Sequence, residues 1–275
     1  MRPCKVGYNN AGSPLKPPTM KIFALANQKG GVGKTTTAVT IADGLARRGM
    51  KTLLVDLDPQ GHTAFALGLK KSPGLYRLIC EGEPIHRVIQ NARPNLDILP
   101  GDKQTEKVKR QITLSDFRES ILLDILHDTE YQVVVLDLAP SFDVLHVNGL
   151  VASDWVLIPT RLDAMAVDGV KEILLTMGEV ARRGHAFQGF SILPTFFDRT
   201  TRETLVQFKE IVKAFGSRVW PPIPQDTRVR EASAYGKTLW EYCPDSPAMA
   251  GYIEGKLRLG GYRQLIEHML EVING

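Results

Sequence analysis

The sequence has few cysteines and no long apolar run. Only three of its 275 residues are cysteine, namely Cys4, Cys80 and Cys243, and none belongs to a CxxC pair. This usage argues against a disulfide framework and a cysteine zinc site, and it favours a reducing, cytosolic setting. Apolar stretches such as Val133–Leu136 are far shorter than the ~20 residues that span a bilayer. We therefore expect an intracellular globular protein.

The first residues also lack the apolar core of a secretory signal. Residues 1–19 contain several glycines, prolines and asparagines and show no helical or strand periodicity, which is typical of a loose tail. No internal repeat or change of composition marks a second domain in the remainder. The sequence predicts a flexible tail over residues 1–19 and one domain over residues 20–275.

Charge is nearly balanced overall and uneven locally. The formal net charge is +4, but residues 181–240 hold ten Lys or Arg against five Asp or Glu, a local excess of +5. Such an excess can attract a polyanion, and it is also common on solvated surfaces.

Short apolar runs alternate with longer helical stretches along the body of the chain. The predicted strands are Lys21–Asn27, Thr52–Asp58, Leu96–Leu99, Gln132–Leu138, Trp155–Thr160 and Phe190–Thr195. The predicted helices are Thr35–Arg48, Ser115–His127, Val167–Arg183 and Thr201–Phe215, followed by a helical C-terminus. This alternation predicts an α/β fold, a doubly wound and mostly parallel sheet with helices on both faces.

A glycine-rich loop stands between the first strand and the first helix, in the segment NQKGGVGKTT that begins at Asn27. It fits the phosphate loop G-x-x-x-x-G-K-[ST], except that Gln28 occupies the first glycine position. Its glycines allow backbone N–H groups to surround phosphate oxygens: Gly30, Gly31 and Gly33. Lys34 is placed to reach the β- and γ-phosphates and Thr35 to coordinate Mg²⁺.

Two predicted strands end in carboxylates. VVVLD ends at Asp137, and the segment VDLDPQG carries Asp56 and Asp58. Because ligands of an open parallel sheet bind at the carboxyl ends of its strands, we expect Asp58 and Asp137 to converge on the loop. Asp137 is placed to hold a magnesium-bound water. One of the two acids can orient or deprotonate the attacking water. Asp56, two residues earlier, is expected to play a structural part.

These three motifs resemble those of the deviant Walker A ATPases of the ParA/MinD group. The later segment IPQDTRVREASAYGK, which begins at Ile223, resembles specifically the ParA/Soj partition ATPases. The resemblance covers about residues 20–272. It implies a P-loop NTPase fold and a weak ATPase activity, stimulated by a partner, with ATP and Mg²⁺ as cofactors.

The resemblance also assigns roles to residues. It implies that Lys29 reaches the partner's ATP in a nucleotide-sandwich homodimer, that Asp58 is linked to hydrolysis, and that Asp137 is the Walker B acid. The implied catalytic set is Lys29, Lys34 and Asp58, and the implied metal set is Thr35 and Asp137. The implied ATP-binding set is Lys29, Gly30, Gly31, Val32, Gly33, Lys34, Thr35 and Thr36, with Pro224 and Asp226 against the adenine.

Arg199 and Arg228 match two family arginines that contact DNA without sequence preference. The resemblance therefore implies a nucleoid-associated cytoplasmic protein that binds non-specific DNA and a ParB-like or other cargo adaptor, with no membrane partner.

The sequence departs from the family patterns at two places. Ala139 replaces the first proline of the family's D-x-P-P pattern, and the family's D-x-R-T pattern is shortened to D-R-T around Arg199. Twenty residues are too few for an N-terminal helix-turn-helix region, so we expect no sequence-specific autoregulation.

Two alternatives remain open. A MinD-like membrane-cycling ATPase needs a basic amphipathic C-terminal helix. The segment Tyr262–Ile273 has apolar residues at helical spacing, but Glu267 and Glu271 outnumber Arg263, which favours a helix packed on the sheet.

The other alternative is an iron–sulfur reductase or an amide-forming synthetase on the same nucleotide fold. The isolated cysteines disfavour the reductase.

Overall fold

A seven-stranded sheet forms the centre of the computed structural model, which describes residues 20–254 and 257–275. The predicted tail, residues 1–19, lies outside the described residues. The strands are β1 (Lys21–Leu25), β2 (Thr52–Asp56), β3 (Gln90–Arg93), β4 (Leu96–Leu99), β5 (Val133–Asp137), β6 (Trp155–Arg161) and β7 (Gly189–Thr195), in the order β3-β4-β2-β5-β1-β6-β7. All pair in parallel except β3, which runs antiparallel to β4. A separate antiparallel hairpin pairs β8 (Tyr252–Glu254) with β9 (Leu257–Leu259).

Helices cover both faces of the sheet. They are α1 (Lys34–Arg47), α2 (His62–Ala66), α3 (Gly74–Cys80), α4 (Ile85–Val88), α5 (Thr105–Thr113), α6 (Ile121–His127), α7 (Val144–Ala152), α8 (Ala166–Arg182), α9 (Arg202–Phe215), α10 (Arg228–Ala234), α11 (Leu239–Tyr242), α12 (Pro247–Ala250) and α13 (Gly261–Asn274). None of the helices in the described part of the chain is both long and apolar enough to cross a bilayer.

Two apolar cores lie on opposite faces of the sheet. Successive residues of β1 point to opposite sides, so Ile22 packs under α5–α8 while Phe23 packs under α1 and α13. Because the central strands are buried on both faces, they consist of continuous apolar runs rather than alternating ones. The predicted doubly wound fold is confirmed.

The structure corrects several predicted boundaries. The helix predicted from Ser115 begins only at Ile121, because residues 114–120 form turns in which Phe117 has a positive φ of 50°. Helix α7 was not predicted, because it is apolar around most of its circumference and therefore shows no helical periodicity. The short, half-buried edge strand β3 was missed because its residues are mostly polar.

Candidate phosphate and nucleotide site

The predicted phosphate loop connects β1 to α1 at the carboxyl edge of the sheet. Gly31 and Gly33 have φ values of 71° and 88°, which only glycine adopts without strain. The Lys34 side chain is buried and folds back over the loop, where its Nζ donates to the backbone oxygens of Asn27 at 2.9 Å and Lys29 at 3.1 Å. An ammonium group therefore lies within the glycine-rich turn that would receive phosphates.

Two residues that the sequence analysis missed hold the loop in shape. The Asn27 side chain accepts from the Lys29 backbone N–H at 2.9 Å and donates to the Pro159 carbonyl at 2.8 Å. The Thr195 hydroxyl, at the end of β7, donates to the Val32 carbonyl at 2.9 Å. The loop is thus tied to the ends of β6 and β7 as well as to its own strand.

Lys29 differs from Lys34 in its exposure. Its side chain is 43% exposed and forms an ion pair with Asp163, which follows β6 on the same chain. Gly30 and Gly31 beside it are also exposed, so the tip of the loop faces outward. Thr35 and Thr36, in the first turn of α1, are half-buried.

Asp137 ends β5 directly beside the loop and is almost completely buried. Neither of its oxygens accepts a hydrogen bond of normal geometry from a described residue. Burial, aided by the neighbouring Asp56 carboxylate, raises the pKa of Asp137 well above its ordinary value, while Thr35 and Lys34 oppose that shift. A buried carboxylate without a donor, next to a threonine hydroxyl, is an environment that suits an oxygen-seeking cation such as Mg²⁺.

Asp56 and Asp58 have different surroundings. Asp56 pairs in register with Asp137 on the adjacent strand, and its oxygens accept from the backbone N–H groups of Asp58 and Thr63. It is therefore structural, as expected, and burial raises its pKa. Asp58 is half-buried. Burial lowers the pKa of Lys34, and Asp58 lies close enough to this lysine to oppose part of that shift. The structure thus brings Asp58, Asp137 and the phosphate loop together.

A cavity of about 280 Å³ opens beside the loop. Four residues of the implied ATP-binding set line it: Gly33, Thr36, Pro224 and Asp226. The remaining lining residues come from several distant segments: Arg161, Thr195, Phe196, Ile223, Gln225, Thr227, Val229, Arg230 and Tyr262. Five of these residues belong to the segment that begins at Ile223, whereas Arg161, Thr195, Phe196 and Tyr262 lie outside every sequence motif, so only the fold identifies them as part of the wall.

Asp226 has a structural task in this cavity. One oxygen accepts from the Arg228 backbone N–H and from its Nε, both at 3.1 Å, and the other accepts from the Ala248 N–H at 3.3 Å. The carboxylate therefore fixes the loop that ends in the cavity wall. Buried Pro224 supplies the apolar surface there.

The two predicted DNA-contacting arginines lie outside this cavity. Arg199 is exposed, and its guanidinium carbon is 4.9 Å from the centre of the Tyr252 ring. The side chain of Arg228 is 43% exposed and paired with Asp226, so part of its charge is compensated. Arg199 is the more available of the two cations.

Comparisons with known proteins agree with this geometry. A family model described as an AAA domain matches residues 20–188. The chromosome-partitioning ATPase Soj of Thermus thermophilus is 37% identical over 232 residues, which cover 84% of this chain and 91% of that protein.

Solved structures are similar as well. Cobyrinic acid a,c-diamide synthase of Mycobacterium smegmatis, with bound ATP analogue and magnesium, is 30% identical, with a TM-score of 0.70 and coverage of 79% and 91% of the two chains. A plasmid partition protein of Borrelia burgdorferi bound to AMPPNP is 24% identical, with a TM-score of 0.72 and coverage of 93% and 98%. At 24% identity, the likeness to the Borrelia protein shows only a shared fold. The 37% identity with Soj over most of both chains shows the family. The chain belongs to the ParA/Soj family of partition ATPases.

Proposed function

We propose that this positioning ATPase dimerises when it binds ATP, holds non-specific DNA in that state, and is released when a cargo adaptor stimulates hydrolysis. ATP and Mg²⁺ are its cofactors, in line with the ATP analogue and magnesium held by the M. smegmatis neighbour. Thr35 and Asp137 would hold the Mg²⁺. When bound, this ion would neutralise part of the phosphate charge.

The observation that carries the proposal is the contrast between the two lysines of the loop. Lys34 is buried and bonded within its own loop, so it serves the nucleotide of its own chain. Lys29 is exposed at the outward tip, where its side chain forms an ion pair with Asp163. A second copy facing this edge would offer its ATP phosphates to Lys29 as a stronger anionic partner than one carboxylate.

The residues of the site divide the chemistry between them. The backbone N–H groups of the loop and Lys34 bind and orient the phosphates. Asp58, at the end of β2 and near Lys34, orients the attacking water. Lys29 of the facing copy offsets charge that develops during phosphoryl transfer.

DNA binding is supported by exposure and charge. Arg199 lies within the segment of +5 local charge and has no carboxylate partner among the described residues. Arg228 can contribute only by giving up its pairing with Asp226. We therefore expect Arg199 to contribute more than Arg228 to phosphate contacts.

The membrane alternative is disfavoured by the packing of α13. Tyr262, Leu265, Ile266 and Met269 are all buried in the core under this helix. At Gly44 of α1 an added Cβ would come within 2.8 Å of Ile266, so the two helices are in close contact. The apolar face that would enter a membrane is already used inside the protein.

The test is retention on a non-specific duplex with ATP, with ADP and without nucleotide, across a salt series. We expect retention only with ATP, falling steeply as salt rises. Arg199→Glu should reduce retention more than Arg228→Glu, and both variants should still bind ATP. If ATP binds and dimerises the protein but DNA is never retained, the DNA part of the proposal is wrong.

A further inference from the structure

The loop that carries Arg199 is supported by an aromatic ring from the β8–β9 hairpin. The Arg199 guanidinium lies over the ring of Tyr252, the first residue of β8. The Tyr252 hydroxyl donates to the Phe197 carbonyl at 2.9 Å, and its ring meets the Phe197 ring edge-on with centroids 5.8 Å apart. Tyr252 is therefore fixed at its hydroxyl and at its edge, and one face remains for Arg199.

The neighbouring acid does not compete for this guanidinium. The Asp198 carboxylate accepts from the Thr200 backbone N–H at 2.9 Å and from the hydroxyls of Thr200 and Thr201 at 2.7 and 3.0 Å. These bonds direct Asp198 towards the start of α9. Among the side chains that the structure describes, Arg199 thus has an aromatic partner and no ion-pair partner.

Contact with an aromatic ring is compatible with phosphate binding by the same guanidinium. A guanidinium that lies over a ring uses its flat face, whereas its N–H groups point outward in the plane. Phosphate oxygens are bound by those in-plane N–H groups. The ring can therefore hold the side chain without blocking the bonds that a phosphate needs.

We infer that Tyr252 is a positioning residue for DNA binding, which holds the Arg199 guanidinium extended at the surface before a phosphate arrives. The inference rests on the proposed function. A free arginine loses much rotamer freedom when it binds, and a side chain that is already ordered loses less. Tyr252 does not touch DNA itself; it acts through Arg199.

The test is a double-mutant cycle in the full chain with ATP. Affinity for a labelled non-specific duplex is measured by fluorescence anisotropy over a KCl series. Tyr252→Leu should weaken binding about two- to fivefold, the range of an exposed cation–π contact. Tyr252→Phe, which keeps the ring but loses the hydroxyl bond to Phe197, should retain more affinity than Tyr252→Leu. In an Arg199→Ala background, Tyr252→Leu should cause no further loss, because the two residues act as one unit.

A matched control distinguishes this effect from the general loss of a tyrosine. On another part of the surface, the Lys107 ammonium lies 5.3 Å from the centre of the Tyr76 ring. Tyr76→Leu should therefore leave DNA affinity unchanged. An equal loss from Tyr252→Leu in both backgrounds would overturn the inference, and so would tighter binding, which would mean that the ring screens Arg199.

A second readout does not depend on DNA. In the free protein the δ-methylene protons of Arg199 should show an upfield NMR shift from the ring, retained in Tyr252→Phe and lost in Tyr252→Leu. Absence of this shift in the wild type overturns the positioning contact itself. Presence of the shift in a protein that does not bind DNA overturns the proposed function, and the DNA role of Tyr252 with it.

Discussion

Asp137 shows how a single residue can reduce stability in favour of a binding site. Its carboxylate is buried at the end of β5, has no hydrogen-bond donor among the described residues, and faces Asp56 on the adjacent strand. Burying such a group costs free energy unless a partner compensates its charge. Because its pKa is raised in the folded state, this cost is absent at low pH and grows as pH rises above the ordinary value of an aspartate.

Asp137→Asn should therefore stabilise the protein when nucleotide and Mg²⁺ are absent. We expect the free energy of unfolding at pH 7.5 to rise by about 1–3 kcal/mol, because a neutral amide replaces the buried charge. The gain should shrink as pH falls and vanish below the ordinary pKa of an aspartate, where the wild-type carboxyl is protonated in both states. Urea unfolding in EDTA measures this, and magnesium-dependent ATPase activity should be lost. A destabilised Asn variant at pH 7.5 would contradict the argument.

At the scale of elements, the loop after Asp137 is held by the start of α7. The Asp143 side chain caps this helix by accepting from the N–H groups of Leu145 at 2.9 Å and His146 at 3.1 Å. It also pairs with Lys109 of α5 at 2.9 Å. Burial raises the pKa of Asp143, but the bonds from Lys109, Ser141 and His146 outweigh it, so the pKa is lowered overall.

Removing this cap should destabilise the protein in a pH-dependent way. Asp143→Ala should lower the free energy of unfolding at pH 7 by about 0.5–2 kcal/mol, the usual effect of losing an N-cap. Because the folded-state pKa is depressed, the contribution is present above the ordinary pKa and is lost as pH falls through the folded value.

Asp143→Asn is the matched control, since asparagine also caps helices but cannot form the ion pair with Lys109. Denaturant unfolding of both variants from pH 7 down to pH 3 separates the cap from the ion pair. A loss from Asp143→Ala that stays constant over this range would contradict the role of the charged carboxylate.

Most of the larger elements could be predicted from a visible pattern, but α5 was missed although Val108 and Ile112 mark one buried face. The central strands and α1, α8 and α9 were found because apolar runs and helical periodicity mark them. The apolar α7 and the polar edge strand β3 gave no periodic signal, and the turn around Phe117 interrupts a stretch that looks helical.

At the scale of the whole molecule, the two loop lysines should separate ATP binding from dimerisation. Lys34→Ala should weaken ATP binding about 10- to 100-fold, because it removes a charged hydrogen bond to phosphate. Lys29→Ala should still bind ATP but remain monomeric, because the proposed function assigns its exposed side chain to the ATP of a facing copy. Binding of a fluorescent ATP analogue and light scattering measure the two properties.

Lys51→Ala is a suitable control, since Lys51 is also exposed and ion-paired, with Glu130, but precedes β2 at the opposite edge of the sheet. It should bind ATP and dimerise like the wild type. A dimeric Lys29→Ala variant with ATP bound would mean that dimerisation does not depend on this lysine.

The sequence by itself determined the fold class, the family and the phosphate loop, because these depend on local patterns: apolar runs, glycine spacing and residues that lie close together in the chain. It also predicted that Asp58 and Asp137 meet the loop, since parallel strands bring their carboxyl ends to one edge. Only the tertiary structure decided the cavity wall, the pairing of Arg228 with Asp226, and the support of Arg199 by Tyr252. These contacts join residues far apart in the chain, and their geometry depends on how helices and loops pack rather than on any local pattern.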